Sequence, residues 1–165
     1  MSDKTLRRQI ESIKRQKIVA KKVVSLSDFR NLKESIETRT ILVVDDDEIM
    51  RNALKRILES SGYKVLLASD GLELSKILEV NRLDMVLMDV NLPWVDGYEL
   101  CRLLKSHHSL SKVPLIFVSA RKEEEDVRRG FDAGCNDYIT KPFDVDKMTG
   151  TISTILSVGS ERPSA

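Results

Sequence analysis

From Thr40 onward, short apolar runs alternate with amphipathic stretches, and this alternation constrains the fold more than any other feature of the chain. Apolar residues in the amphipathic stretches recur every three or four positions, which is typical of helices with one buried face. The short runs between them predict strands, at residues 41–44, 64–68, 84–88, 115–118 and 138–139. Five strands in alternation with five helices favour parallel strands, right-handed connections and helices on both faces. The sequence therefore predicts an α/β fold built on a doubly wound five-stranded parallel sheet.

The first 38 residues differ from the rest in charge and in pattern. Residues 1–40 carry 11 Lys and Arg against 5 Asp and Glu, a net charge of +6, whereas the remainder carries −5. Apolar residues at helical spacing predict a basic helix, a turn and a second short helix leading into the first strand. We therefore predict a basic helical extension at 1–38, one α/β domain at 39–160 and a flexible tail at 161–165.

Composition argues against several classes of protein. No apolar run approaches the roughly 18 residues that a membrane helix needs, and the first residues lack the apolar centre of a secretory signal. The two cysteines, Cys101 and Cys135, form no close metal-binding pattern with histidine. We expect a cytoplasmic protein with no membrane span, whose cysteines are reduced and structural.

Polar residues follow the predicted strands at the points where those strands end. They are Asp45, Asp46 and Asp47 after the first strand, Asp89 after the third, Ser119 after the fourth, and Thr140 and Lys141, followed by Pro142, after the fifth. In open parallel sheets, ligands bind at the carboxyl ends of the strands, beside the change in strand order. We therefore expect carboxylates, a hydroxyl and an ammonium group to converge at one edge of the sheet.

The expected convergence of Asp45, Asp46 and Asp89 predicts a cation site. Two unit charges about 4 Å apart repel by roughly 4 kcal/mol at an effective dielectric constant near 20. Such a cluster must either hold a proton, so that one pKa rises, or bind a cation. Carboxylate, carbonyl and water oxygens suit a hard divalent ion, and a small octahedral Mg²⁺ fits best. Lys141 supplies a second positive charge.

The same residues predict phosphoryl chemistry on Asp89. The sequence shows no Ser-His-Asp arrangement and no Gly-rich phosphate loop. A carboxylate nucleophile beside a metal, a lysine and a hydroxyl suits acceptance of a phosphoryl group. The metal and the lysine would neutralise charge on the transferring oxygens.

Four sequence blocks carry a resemblance to a known family. They are ILVVDDD at 41–47, VLMDVNLPWVDG at 86–97, PLIFVSA at 114–120 and GCNDYITKPF at 134–143. In this order and at this spacing, they make residues 40 to about 158 resemble a receiver domain of a two-component response regulator, of the chemotaxis-regulator type. The resemblance implies a flavodoxin-like fold.

The resemblance implies a phosphoacceptor with a metal site around it. Asp89 matches the phosphoacceptor. Asp46 and Asp89 match side-chain ligands of Mg²⁺, and the backbone carbonyl of Asn91 matches a third ligand. Asp45 matches the acid that holds the ion through water.

The resemblance also implies a switch. Lys141 matches the lysine that pairs with the acceptor carboxylate and then with the phosphoryl group. Ser119 matches a hydroxyl that hydrogen-bonds a phosphoryl oxygen, and Tyr138 matches an aromatic residue that turns inward when Ser119 moves. The family also leads us to expect a cis bond between Lys141 and Pro142, at the modest cost that proline allows.

Three positions depart from the family's usual pattern. Asp47 adds a third consecutive acid, which we expect at the start of the first helix, where it complements the helix dipole. Arg121, two residues after Ser119, could bias the access of water to a phosphoryl group. Trp94 occupies a loop position that is usually smaller.

Our first functional hypothesis is a stand-alone, phosphorylation-dependent switch that is not a turnover enzyme. A histidine kinase or a phosphotransfer protein would supply the phosphoryl group. The face formed by the fourth helix, the fifth strand and the fifth helix would then change its affinity for a downstream protein. The charged run at 122–129 fits a solvated helix face and a part of this signalling surface equally well.

A second hypothesis makes the N-terminal helices the output, through a homodimer, a partner protein or DNA. Nucleic-acid binding is not favoured, because acids and apolar residues interleave with the basic ones and aromatic residues are scarce. An aspartate-nucleophile phosphatase is set aside, since that family usually has a second aspartate where this chain has Asn91.

Overall fold

Five parallel strands form the central sheet of the computed structural model, which describes residues 38–158. In chain order the strands are β1 (Thr40–Val44), β2 (Lys64–Ala68), β3 (Met85–Met88), β4 (Leu115–Ser119) and β5 (Asp137–Thr140). Their spatial order is β2-β1-β3-β4-β5, and all neighbours pair in parallel. The predicted doubly wound sheet is confirmed.

The predicted extension at 1–38 and the predicted tail at 161–165 lie outside the described residues, apart from Thr38. The N-terminal helices and a homodimer formed through them therefore stay predictions.

Helices connect the strands and cover both faces of the sheet. They are α1 (Glu48–Ser60), α2 (Gly71–Val80), α3 (Gly97–Ser106), α4 (Glu124–Asp132) and α5 (Val145–Val158). An aspartate caps the start of three of them, because the side chains of Asp47, Asp70 and Asp96 accept hydrogen bonds from backbone N–H groups of the first turn. Asp47 therefore begins the first helix, as the sequence predicted.

Alternate residues of β1 face two separate hydrophobic cores. Ile41 and Val43 pack with residues of α1 and α5, whereas Leu42 and Val44 pack with residues of α2 and α3. All four residues of β3 are buried as well. Burial on both faces explains why these strands read as continuous apolar runs. It also fixes the strand register, since a slip by one residue would exchange the two cores.

The chain after β3 forms a short hairpin that the sequence did not predict. Asn91–Leu92 pairs in antiparallel fashion with Val95–Asp96, and the turn between them holds Pro93 and Trp94. The N–H of Gly97 donates to the carbonyl oxygen of Val90 at 2.9 Å. The hairpin therefore returns the chain to a point beside Asp89 before α3 begins.

One apolar residue of α4 faces away from the core. The sequence pattern pairs Phe131 with Val127 as an apolar stripe, yet Phe131 is 48% exposed. Gly130 is the buried residue of this helix, and it lies against Tyr138 and Phe117. Because successive residues of a helix point about 100° apart, burial of Gly130 turns Phe131 outward.

Both cysteines are buried free thiols. Burial raises the pKa of Cys101 to about 11 and that of Cys135 to about 12. A raised thiol pKa disfavours the reactive thiolate, which agrees with a structural role.

Within residues 38–158, no helix has the length and apolar character that crossing a membrane requires.

Replacing Gly97 with alanine should destabilise the domain. A Cβ atom at position 97 would lie 2.6 Å from the Cα atom of Val90 and 2.7 Å from the carbonyl oxygen of Asp89. Both are backbone atoms, so the chain after β3 would have to shift. We expect Gly97→Ala to lower the free energy of unfolding by about 1–3 kcal/mol, measured by urea denaturation of the full chain.

Gly150→Ala is the matched control for this measurement. Nothing lies within 4 Å of a Cβ atom at position 150 in α5, so helix propensity alone predicts a gain of up to about 1 kcal/mol. Equal stability of the two variants would contradict the predicted steric conflict.

Candidate functional site

Two neighbouring strands end in aspartates at the same edge of the sheet. Val44 of β1 lies in register with Met88 of β3, so that Asp45 and Asp89 leave the sheet side by side. The backbone N–H of Asp89 donates to the carbonyl oxygen of Val44 at 3.0 Å. This pairing continues the sheet by one residue and fixes both carboxylates at the carboxyl ends of the strands.

Asp46 completes a cluster of three acids. One carboxylate oxygen from each of Asp45, Asp46 and Asp89 lies within 4.8 Å of the others. Asp45 is only 2% exposed, Asp89 is half-buried and Asp46 is exposed. The structure therefore brings together the three acids that the sequence singled out, and leaves their most exposed member facing solvent.

Lys141 places an ammonium group between two of these acids. Its Nζ donates to Oδ2 of Asp45 at 2.9 Å and to Oδ2 of Asp89 at 3.3 Å. The backbone N–H of Lys141 also donates to the carbonyl oxygen of Ser119 at 2.8 Å, which joins the ends of β4 and β5. The bond from Lys141 to Pro142 is cis, as expected. Lys141 therefore links the acids to the end of the neighbouring strand pair.

Burial and charge act against each other on these ionisable groups. Burial raises the pKa of Asp45, and this effect outweighs the lowering by the N–H of Asp47 and by Lys141. Burial alone would lower the pKa of Lys141, but the hydrogen bonds and charges of Asp45 and Asp89 together leave it raised. The cluster thus favours a positive charge at Lys141 and still resists the full ionisation of Asp45.

The donor atoms of the cluster fit a hard divalent cation. Three carboxylates face one ammonium group, so the site retains a negative charge after Lys141 is counted. Carboxylate oxygens are the ligands that Mg²⁺ prefers, and the exposure of Asp46 leaves room for water. Asp45, Asp46 and Asp89 are therefore the residues that would hold Mg²⁺. The carbonyl of Asn91 as a further ligand stays a prediction.

Ser119 ends β4, and Tyr138 lies on the neighbouring strand β5, in register with Phe117. Ser119 is fully buried, and its Oγ accepts a hydrogen bond from the N–H of Arg121 at 3.3 Å. The hydroxyl of Tyr138 donates to the carbonyl oxygen of Arg121 at 2.6 Å. Burial is the main cause of the raised pKa of Tyr138, and a hydrogen bond with the side chain of Tyr98 raises it further. The backbone of Arg121 thus connects both residues that the sequence assigned to a switch.

The sequence did not predict the contacts that two arginines make at the site. The guanidinium of Arg121 donates through Nε to Oδ1 of Asn91 at 2.8 Å and lies 3.8 Å from Asp126. Arg51 on α1 donates to the backbone carbonyl of Asp45 at 2.7 Å. The sequence marked Arg121 only by its place two residues after Ser119. It gave no signal for Arg51 beyond its position on the helix that follows the acids.

Trp94 packs on the start of α2. Its ring carbons would lie 3.2 Å from a Cβ atom at Gly71, so glycine is what admits the indole there. Among the described residues, the buried indole N–H of Trp94 has no hydrogen-bond acceptor. Trp94 thus joins the hairpin after Asp89 to the rest of the domain.

Replacing Lys141 with methionine should destabilise the domain in a pH-dependent way. Methionine fills similar space and leaves Asp45 and Asp89 without the ammonium group. The loss should be about 1.5–3 kcal/mol near neutral pH, the usual range for a hydrogen bond to a charged group. Without Lys141, one influence that lowers the pKa of Asp45 disappears, so its folded-state pKa should rise further above the usual 3.8.

The sign of the pH effect follows from proton binding. A carboxyl group whose pKa is higher in the folded state binds protons more tightly there, so stability falls as the pH rises above 3.8. Urea unfolding of the Lys141→Met variant should therefore show a smaller loss at about pH 4.5 than at about pH 7.5. Lys147→Met, on the exposed surface of α5, is the control. An equal loss at both pH values would contradict the assignment.

Comparisons with known proteins identify the family of this chain. The family model of the response regulator receiver domain matches residues 41–153. Response regulator MprA from Mycobacterium sp. (strain KMS) is 40% identical over 116 residues, which cover 70% of this chain and 50% of that protein. Aerobic respiration control protein ArcA from Escherichia coli (strain K12) is 39% identical over 122 residues, covering 74% and 50% respectively. The chain thus spans about half the length of these curated relatives.

Solved structures share the fold. The receiver domain of a signal transduction histidine kinase from Syntrophus aciditrophicus has a TM-score of 0.70 and 33% identity, covering 78% of this chain and 97% of that one. The receiver domain of the sensor histidine kinase PA1611 from Pseudomonas aeruginosa PAO1 has a TM-score of 0.66 and 31% identity, covering 73% and 98%. That structure holds a magnesium ion in its active site cleft. Fold, acid cluster and family match together show that the chain belongs to the response regulator receiver domain family.

Proposed function

We propose that this protein is a phosphorylation-dependent switch that accepts a phosphoryl group on Asp89. The observation that carries the proposal is the contact of Lys141 Nζ with both Asp45 and Asp89, inside a cluster of three carboxylates. A structural ion pair needs one acid for one lysine. Here three carboxylates meet one lysine, and the side chain of Asp89 is 12% exposed, which suits acceptance of a phosphoryl group by a carboxylate.

The donor of the phosphoryl group is the phosphohistidine of a histidine kinase or of a phosphotransfer protein. A carboxylate oxygen of Asp89 attacks phosphorus, and an O–P bond forms as the P–N bond breaks. The imidazole leaves with the electron pair of the broken bond and takes up a proton from solvent. Asp45, Asp46 and Asp89 would hold Mg²⁺, which would supply positive charge to the oxygens of the transferring group. The protein promotes this step on itself and is not a turnover enzyme.

Lys141 and Ser119 then respond to the new group. In this proposal the ammonium of Lys141 exchanges part of its contact with Asp89 for a phosphoryl oxygen, to which it is held by charge. The Oγ of Ser119 gives up its hydrogen bond from the N–H of Arg121 and donates to another phosphoryl oxygen. Tyr138 is bound to the carbonyl of the same residue, so a shift of the Arg121 backbone alters the position of the Tyr138 ring.

The output of the switch is a change in protein binding at the face formed by α4, β5 and α5. Two apolar side chains on this face support the proposal, because Phe131 of α4 is 48% exposed and Val145 of α5 is 45% exposed. Phe131 and Val145 would be the apolar contacts that a partner protein buries on this face. We place this exchange between kinase, regulator and downstream protein in the cytoplasm.

Phosphorylation of Asp89 can be tested with a small phosphodonor. Acetyl phosphate and Mg²⁺ should add one phosphoryl group to the full chain, visible as a mass shift. Asp89→Asn should reduce the modified fraction at least tenfold, because the carboxamide lacks the nucleophilic oxygen. Asp132→Asn, an exposed acid on α4, is the matched control and should be modified like the wild type. Equal modification of Asp89→Asn and wild type would refute the assignment.

Binding of Mg²⁺ should stabilise the folded protein without any phosphodonor. A ligand that binds only the folded state adds about 2.7 kcal/mol at a concentration one hundred times its dissociation constant. The melting temperature should therefore rise with MgCl₂. Asp46→Asn should lose most of this rise and Asp132→Asn should keep it. The metal site would be wrong if both variants responded to MgCl₂ like the wild type, with NaCl at matched ionic strength as the reference.

A further inference from the structure

Tyr98 lies in the first turn of α3 and contacts α4. Its side chain is buried, and its hydroxyl donates to the backbone carbonyl of Asp126 at 3.0 Å. The guanidinium of Arg129, also on α4, lies 4.5 Å from the centre of the Tyr98 ring. Arg129 further lies 3.8 Å from Asp96, the residue that caps α3. Tyr98 therefore connects α3, which begins directly after the Asp89 hairpin, to two positions of α4.

Gly130 leaves a space in α4 that the ring of Tyr138 occupies. A Cβ atom at position 130 would lie 2.8 Å from Cδ2 and 3.2 Å from Cε2 of Tyr138. It would also lie 3.3 Å from Cδ2 of Phe117 on β4. Contacts below 3.0 Å do not persist in proteins, so any side chain at position 130 would displace the Tyr138 ring from its present position.

The ring of Phe117 packs against the rings of both Tyr98 and Tyr138. Its ring centre lies 5.5 Å from that of Tyr98, edge to face, and 5.8 Å from that of Tyr138. Such arrangements stabilise aromatic neighbours beyond the area that they bury. Phe117 on β4 and Gly130 on α4 thus contact the Tyr138 ring, and the side chain of Tyr98 on α3 lies within hydrogen-bonding reach of the Tyr138 hydroxyl.

We propose that Tyr98, Phe117 and Gly130 form a seat for the Tyr138 ring, and that Tyr98 is a positioning residue that couples this seat to α4. A seated ring brings the Tyr138 hydroxyl to the carbonyl of Arg121, and Tyr98 fixes the carbonyl of Asp126 five residues later. Both bonds hold the chain that leads from Ser119 into α4. The occupied seat therefore fixes the start of α4 relative to the Ser119 end of β4.

The consequence for signalling rests on the proposed function. If phosphorylation of Asp89 moves Ser119 and the Arg121 backbone, a seated Tyr138 transmits that movement to α4. If the Tyr138 ring leaves this seat, the site is no longer connected to the proposed output face. Gly130 and Tyr98 would then set how strongly α4 responds, without touching the phosphoryl group.

The three tyrosines of the chain make the seat directly observable. In the full chain labelled with ¹³C-tyrosine, Tyr138, Tyr98 and Tyr63 give three sets of ring resonances. Tyr63, which lies between α1 and β2, serves as the reference. Gly130→Ala should shift the Tyr138 ring resonances and remove their nuclear Overhauser contacts to Phe117. Gly150→Ala is the matched control and should change neither, because a Cβ atom there meets no neighbour within 4 Å.

Tyr98→Phe tests the coupling and remains informative if Gly130→Ala fails to fold. This variant keeps the ring and removes only the hydroxyl that binds Asp126. Mg²⁺ with beryllofluoride, a mimic of the phosphoryl group, should shift the backbone amide resonances of residues 121–132 in the wild type. These shifts should be at least twofold smaller in Tyr98→Phe and unchanged in the control Tyr63→Phe. A merely structural role of Tyr98 would lower stability and leave these shifts intact.

The outcomes separate this proposal from the function on which it rests. Unchanged Tyr138 resonances in folded Gly130→Ala would overturn the seat, and full amide shifts in Tyr98→Phe would overturn the coupling. If wild-type protein instead gains no phosphoryl group from acetyl phosphate and shows no beryllofluoride shifts, the proposed function and the coupling both fail. In that case the ring contacts of Tyr138 still decide whether the seat exists.

Discussion

The ammonium group of Lys141 lies between the carboxylates of Asp45 and Asp89, and the geometry of the whole edge depends on this contact. Three acids at the ends of two adjacent strands repel one another, and burial makes the ionisation of Asp45 harder still. The ammonium group of Lys141 offsets this repulsion. Lys141 follows β5 at the same edge of the sheet, and its backbone N–H is hydrogen-bonded to Ser119 at the end of β4. The charge balance of the site thus requires the correct order of β1, β3, β4 and β5.

Much of this arrangement is predictable because it follows from periodicity along the chain. The alternation of apolar runs with helical stripes indicates the parallel sheet, and the sheet places Asp45, Asp89, Ser119 and Lys141 at one edge. Local signals also suffice for the cap at Asp47. These features depend only on neighbouring residues and on the general geometry of parallel sheets.

Features that depend on contacts between distant residues were not predictable from such patterns. The hydrogen bond from Tyr98 to Asp126 joins positions 28 apart, and that from Arg121 to Asn91 joins positions 30 apart. Which face of α4 is buried also depends on the space at Gly130, not on the spacing of Val127 and Phe131. The strand order alone brings the acids and the lysine together, whereas the contacts of Tyr98, Arg129 and Gly130 depend on which side chains lie on neighbouring elements.

Trp94 has a practical consequence for any study of this protein. It is the single tryptophan of the chain, and it lies in the hairpin between Asp89 and α3 with its indole packed on Gly71. The tryptophan fluorescence of the folded protein therefore originates from one point close to the acid cluster. A change in emission on adding a ligand would report on that hairpin alone, in the unmodified protein and without an attached dye.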